Sequence, residues 1–440
     1  MKKYIINGGK SLSGEIVISG SKNVVLKILV AACLTNEEIV LKNVPLISDF
    51  HVMLDLVREI GGEVELSEHT VKIRIPEIKS TKLPLEIGAK IRTTSMFLAP
   101  LLARSKNASI PNPGGCRIGA RPIDRHIKGL EQMGAEISYY SDDGYFHAKT
   151  DGLKGTTYEF EKNSHTGTET LIIAAVLAQG TTVIKNAAEE PEVDDLIGFL
   201  NSMGAKIKRT DHRVIEIEGV DSVHGTTYTI MPDRNEVVTI AICSALTGGN
   251  ILIKNANLSD LDTFLKVFEK AGGAWEETDG AVRFFIIDQV LPVDVTTGPH
   301  PEFMTDWQGP WALLMTQAQG KSLLHETVYE NRFAYKKEVE KMGAKMQFVA
   351  PVVENPETLY NFNYEPETKY KQQIQITGPR HLHNAVLDIA DLRAGATLVL
   401  AALIAQGESV IYGIEYLDRG YEAFDTRLAA LGADIHALEE

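Results

Sequence analysis

The sequence predicts an α/β protein of two domains, each made of three copies of one repeated unit. Three observations predict it. A Gly-Gly or Gly-Ala pair recurs six times, at Gly61-Gly62, Gly134-Ala135, Gly204-Ala205, Gly272-Gly273, Gly343-Ala344 and Gly432-Ala433, with a spacing of about 70 residues and a longer final interval. Each pair follows an amphipathic segment, such as residues 195–202, and precedes a short alternating run, such as 206–209; that is a helix, a glycine C-cap and a strand. Upstream of every pair lies an alanine-rich apolar segment that ends in a turn and another strand, as in residues 170–186.

In chain order these upstream helix-and-strand segments fall at residues 26–43, 95–112, 170–186, 238–255, 307–326 and 396–413. Units of this length exceed the roughly 20 to 47 residues of common solenoid repeats, so each is expected to fold as a compact sheet-on-helix module. The division is expected near Met231-Pro232-Asp233-Arg234, where the fourth copy opens after a proline, with a first domain over 22–230 and a second over 1–21 plus 231–440. The N-terminal stretch then joins the C-terminal half, and the two chain crossings form a hinge. Residues 353–369, polar and carrying Pro356 and Pro366, read as a surface insertion in the last interval.

Composition removes several function classes. With 440 residues and 44% hydrophobic content the chain can bury two cores. Three cysteines without paired spacing argue against a disulfide framework and fit a reducing compartment, so a cytoplasmic location is expected. No stretch reaches membrane-spanning length, and the apolar run Tyr4-Ile5-Ile6 is too short for a signal peptide. A formal net charge of -15 repels polyanions, which argues against nucleic acid as a partner and leaves small anions held by local basic clusters. No histidine or cysteine pairs recur at metal-ligand spacing; His126, His165 and His383 are expected at the surface or beside substrate, with His126 the first candidate for a role.

Polar and charged residues gather before each alanine-rich helix: Ser21-Lys22-Asn23, Lys90-Ile91-Arg92, Lys162-Asn163-Ser164-His165, Asp233-Arg234, Thr305-Asp306 and Asp391-Leu392-Arg393. Most of the serines, threonines, asparagines and aspartates there are expected to be N-caps. Lys22, Arg92, Lys162 and Arg393 do not cap. A cation at a helix N-terminus opposes the helix dipole at about 0.3–1 kcal/mol, which points to a bound anion. If the helices run parallel within each domain, their positive ends share a face, and two such faces across a hinge would make a cleft for phosphates. Cys116 lies on the loop Pro113-Gly114-Gly115-Cys116-Arg117 with Arg121 close by, a setting that favours a thiolate. The loop alone reads equally well as an ordinary turn. Cys33 and Cys243 sit in alanine-rich apolar stretches and read as core.

Pro113-Gly114-Gly115-Cys116 with Gly119-Ala120-Arg121-Pro122-Ile123-Asp124, Ser19-Gly20-Ser21-Lys22-Asn23, Thr305-Asp306, Glu330-Asn331-Arg332-Phe333 and Asp418-Arg419-Gly420-Tyr421-Glu422 together resemble the UDP-N-acetylglucosamine 1-carboxyvinyltransferases, a family of the enolpyruvyl transferases. The resemblance spans nearly the whole chain. It implies a two-domain inside-out α/β barrel with three repeats per domain and the active site between the domains. It also implies transfer of the enolpyruvyl group of phosphoenolpyruvate to the 3-hydroxyl of UDP-N-acetylglucosamine, without a cofactor, as the committed step toward peptidoglycan. Asp306 would take the hydroxyl proton, and Cys116, on a lid loop, would either protonate phosphoenolpyruvate or form a covalent adduct; fosfomycin would alkylate it. Lys22, Asn23, Arg121, Arg393 and Arg419 would hold phosphoenolpyruvate. Asn23, Arg92, Arg121, Pro122, Ile123, Asp124, Arg125, Lys162, Asn163, Ser164, His165, Asp306 and Val328 would surround UDP-N-acetylglucosamine. The chain departs from the family pattern at Met304, Trp307 and Arg125. Three rival readings are the sister enzyme acting on shikimate 3-phosphate, an RNA 3'-phosphate cyclase, and a non-catalytic UDP-sugar-binding paralogue. The first lacks a Pro-Gly-Gly-Cys lid and the second needs a histidine motif not found here. The third has no use for Lys22, Cys116, Asp306 and Arg419 together.

Overall fold

Six small sheets of one topology carry the chain, in a computed structural model that describes residues 2–115, 118–120 and 122–439. In one of them Asn250–Lys254 runs parallel to Ser13–Val17 and antiparallel to Ala281–Ile286, which pairs in turn with Gly273–Thr278. The same set of one parallel and two antiparallel pairings recurs around Ile39–Lys42, Thr181–Lys185, Lys321–His325 and Glu408–Tyr412. Around Asn107–Pro111 the parallel partner shrinks to a bridge between Lys82 and Ser109.

Each sheet comes with two helices of different character. The first of each pair is alanine-rich: Lys22–Ala32, Leu98–Ser105, His165–Ala175, Arg234–Thr247, Gln308–Met315 and Leu392–Ile404. These helices are apolar around most of their circumference, and in the last of them every residue from Leu392 to Leu403 is buried. Such a helix belongs in an interior, and alanine-rich helices of different modules pack against one another, as Arg234–Thr247, Gln308–Met315 and Leu392–Ile404 do. The second helix is amphipathic, as in Asp262–Lys270, which buries Phe264, Leu265 and Phe268. All six of these helices run into a glycine whose φ lies between +85° and +107°, a conformation that a β-carbon penalises. That penalty is the reason for the sixfold glycine signal.

The chain divides into two compact units, one of Gly20–Gly115 and Pro122–Met231, the other of Met1–Ser19, Cys116–Arg121 and Pro232–Glu440. Each has its own core. Phe50, Phe97, Phe160 and Phe199 centre the first, and Phe264, Phe268, Phe284, Trp307 and Trp311 the second, where their rings meet mostly edge to face. The N-terminal strands Lys2–Asn7 and Ser13–Val17 complete two sheets of the second unit. The insertion in the last repeat is less simple than its polar composition suggests. Tyr360 and Phe362 are buried and stack with Tyr364 and Tyr370, and Tyr360 Oη lies 3.1 Å from His325 Nε2.

Candidate active site

In the second unit the site grows from a capped helix. Asp391 is the N-cap of Leu392–Ile404, and its Oδ1 accepts the N–H groups of Arg393 at 3.0 Å and Ala394 at 3.1 Å. With that turn fixed, the Arg393 guanidinium donates to Asp306 Oδ2 at 3.3 Å and to Tyr421 Oη at 3.1 Å. Asp306 lies in the 3-10 turn Thr305–Trp307, and its other oxygen accepts from Arg332. Arg332 also donates to Thr305 Oγ1 at 3.2 Å and lies 3.7 Å from Asp391 Oδ1. The side chains of Arg332 and Arg393 are 5% and 8% exposed against 21% for Asp306, so the carboxylate is the accessible member of the group. Two guanidiniums favour its charged form, which makes Asp306 a preformed acceptor. Burial acts to lower the Arg393 guanidinium, but Asp306 and Tyr421 outweigh it and hold the group above its ordinary value.

One buried carboxylate ties this turn to its neighbouring loop. Glu326 accepts from Thr305 Oγ1 at 2.9 Å and Gln308 Nε2 at 3.1 Å, and from the N–H groups of Val328 at 2.7 Å and Tyr329 at 3.0 Å. It thereby sets Asp306 relative to the segment that carries Val328, Glu330 and Arg332. Arg419 is half-buried two residues before Tyr421, whose hydroxyl also meets Thr239 Oγ1 at 2.8 Å.

The first unit holds the other group of candidates. Lys22 begins its helix and its Nζ lies 2.8 Å from Asp49 Oδ2, in the first turn of Ser48–Glu59. Asn23 follows on the same turn. Arg92 opens the 3-10 helix Arg92–Phe97. Pro122 is exposed and Ile123 buried, just before Asp124 and Arg125 begin Asp124–Gln132. Arg125 donates to the Asn163 carbonyl at 3.4 Å, which brings these two candidates together beside Lys162. Ser164 caps His165–Ala175 by accepting the Gly167 N–H at 3.2 Å, and His165 pairs with Glu169 at 3.2 Å. His126 is buried, with Nε2 3.0 Å from Thr166 Oγ1.

The glycines of the loop before Cys116 serve close approach. A β-carbon on Gly114 would lie 1.8 Å from the Ala89 carbonyl oxygen; Gly115 has φ +116°, and its β-carbon would sit 3.4 Å from that of Arg92. Further on, Asn331 donates to the Ile118 carbonyl at 3.0 Å, and a β-carbon on Gly119 would meet Glu330 Oε2 at 1.9 Å. Cys116, Arg117 and Arg121 lie outside the described residues. Cys33 and Cys243 are core, and burial pushes both thiols up to about 12.

One expectation needs correction. Lys22 and Arg393 do not point to a bound anion merely by standing at helix N-termini, because Asp49 and Asp306 supply counter-charge from within the same unit. A partner brought in from another element leaves no mark near the cation in the sequence. Sequence reasoning placed Asp391 among the expected N-caps, which it is, but assigned no individual role to Asp49, Glu326, Arg332 or Tyr421. An acid in a helix's first turn was a usable signal for Asp49, and an aspartate before an alanine-rich run for Asp391. For Glu326, at the end of a strand, there was none.

Residues 6–428 match the family described as EPSP synthase (3-phosphoshikimate 1-carboxyvinyltransferase). A protein of Caldanaerobacter subterraneus named UDP-N-acetylglucosamine 1-carboxyvinyltransferase 1 is 38% identical over 434 residues, covering 99% of both chains. One of Gluconobacter oxydans, named UDP-N-acetylglucosamine 1-carboxyvinyltransferase, is 40% identical over 442 residues and covers 100% of both. Among solved structures, the enolpyruvyl transferase NikO of Streptomyces tendae superposes with a TM-score of 0.86 at 22% identity, covering 99% of each chain. EPSP synthase of Acinetobacter baumannii does so at 0.76 and 16%, covering 100% of each; at such identities the likeness is one of fold.

Proposed function

Since the chain belongs to the enolpyruvyl transferase family, we propose that it transfers the enolpyruvyl group of phosphoenolpyruvate to the 3-hydroxyl of UDP-N-acetylglucosamine and releases phosphate. The observation that carries this reading is identity of 38–40% along the full chain to relatives named for that reaction. In the addition step the sugar oxygen bonds to C2 of phosphoenolpyruvate, the hydroxyl proton leaves to a base and C3 gains a proton, giving a tetrahedral ketal. In the elimination step C3 loses a proton and the bond from C2 to the phosphate oxygen breaks.

Asp306, accessible and ionised between two arginines, is suited to accept the hydroxyl proton. Cys116 serves as the acid or as the covalent partner. Lys22, Arg121, Arg393 and Arg419 hold the phosphate and carboxylate of phosphoenolpyruvate, because guanidinium forks follow oxyanions whose charge shifts during reaction, and Asn23 contacts the sugar. Arg92, the 122–125 segment, the 162–165 loop and Val328 take the nucleotide sugar. Among the described residues no helix is long and apolar enough to cross a membrane, which fits a cytoplasmic step toward peptidoglycan.

Incubation with both substrates should give the enolpyruvyl ether by mass spectrometry together with equimolar phosphate. Binding of the sugar nucleotide without phosphate release would identify a non-catalytic binder instead. Fosfomycin should inactivate the enzyme, and Cys116→Asp should be insensitive to it; inhibition retained in that variant would remove Cys116 from the mechanism.

A further inference from the structure

Two of the alanine-rich helices in the first unit share a charge cluster that the reaction does not require. Glu169, on His165–Ala175, is fully buried. Its Oε2 lies 3.4 Å from Nζ of Lys27, itself 4% exposed on Lys22–Ala32, and its Oε1 lies 3.2 Å from His165 Nε2. Neither carboxylate oxygen makes a well-directed hydrogen bond, so the carboxylate is held mainly by the charges on either side. Lys27 also donates to the Asn23 carbonyl. Such a cluster is a poor device for stability, since apolar residues of the same volume commonly do as well or better.

The arrangement instead orders His165. Nε2 is the buried nitrogen, turned toward Glu169, while the side chain as a whole is 23% exposed. His165 stands in the first helical turn, directly after the Ser164 cap and the Lys162-Asn163 loop. A cation there opposes the helix dipole, and Glu169 supplies the counter-charge that offsets it. The charged groups that act on His165 are Glu169, Glu190 and Lys27, and the elements and loops beside its helix also bring Arg92, Arg125, His126 and Lys162. Burial pulls the imidazole down, but Glu169 and then Glu190 outweigh it and raise its proton affinity, against Lys27.

We propose that the Lys27–Glu169 pair is a positioning device that presents His165 as an imidazolium donor to the diphosphate of the nucleotide sugar, so that affinity for this substrate falls as His165 loses its proton. The proposal rests on the reading of the 162–165 loop as part of the nucleotide-sugar site. Losing one charge-assisted hydrogen bond is expected to weaken binding about tenfold or more.

The test is calorimetric binding of UDP-N-acetylglucosamine alone to the full-length protein from pH 6 to 9.5, for the wild type, His165→Gln and Glu169→Gln. NMR titration of the His165 ring in the wild type provides a readout that needs no variant. In the wild type the dissociation constant should rise about tenfold across the range, with its inflection at the ring's titration, and binding should take up protons around that inflection and none at the low-pH end. His165→Gln should bind weakly at every pH, and Glu169→Gln should move the inflection to lower pH. A pH-independent wild-type affinity, or a ring whose titration does not move on ligand binding, overturns the proposal even if the variants fail to fold. No binding at any pH overturns the proposed reaction instead.

Discussion

Replacing Asp306 by asparagine keeps the side chain's shape and removes the charge that two buried guanidiniums share. Breaking a buried pair from one side costs about 3–5 kcal/mol when the remaining charge has no other partner. Here Arg332 still faces Asp391 at 3.7 Å and Arg393 still bonds Tyr421, while the 21% exposure of Asp306 admits water. The expected loss is therefore smaller, about 2–3 kcal/mol. For a folding unit of this size that corresponds to a fall of about 4–12 °C in Tm. The assay is selective, because Trp275, Trp307 and Trp311 are the chain's three tryptophans and all lie in the second unit; tryptophan fluorescence therefore follows that unit's unfolding. The same variant should lose about 10²–10⁴-fold in turnover if Asp306 is the base. An unchanged Tm would refute the paired-charge argument, and unchanged turnover would remove Asp306 as the base. A double-mutant cycle with Arg393→Met separates the direct coupling from the loss of either partner alone.

Native protein should react with a thiol reagent at one cysteine per chain and denatured protein at all three, since Cys33 and Cys243 are buried thiols; two or more fast sites in the native state would contradict their core placement. Gly114→Ala forces the loop away from the Ala89 carbonyl and should cut turnover about tenfold or more, leaving the tryptophan-detected Tm unchanged; normal turnover would show that the loop's path is immaterial. For His165, burial lowers its proton affinity but Glu169 and Glu190 raise it further, for a net increase. Its stabilisation is thus fully present below about pH 6.5 and lost as pH rises through the higher folded value. Circular dichroism melts at pH 6 and pH 9 should therefore differ less in His165→Gln than in the wild type, and an equal difference in both would count against the pairing.

The sequence by itself determined the module and its sixfold repetition, because a helix end in the left-handed region demands glycine wherever it occurs and an all-apolar helix demands an interior. Both are local requirements, written residue by residue. The candidate residues at helix starts, from Lys22 to Arg393, were legible for the same reason. Only the tertiary structure decided who neutralises whom: Asp49 with Lys22, Asp306 between Arg332 and Arg393, Glu326 joining two segments, and Glu169 between Lys27 and His165. Coulomb and hydrogen-bond partners act through space over a few ångströms, and the folded chain sets those distances between residues as far apart in sequence as Asp306 and Arg393.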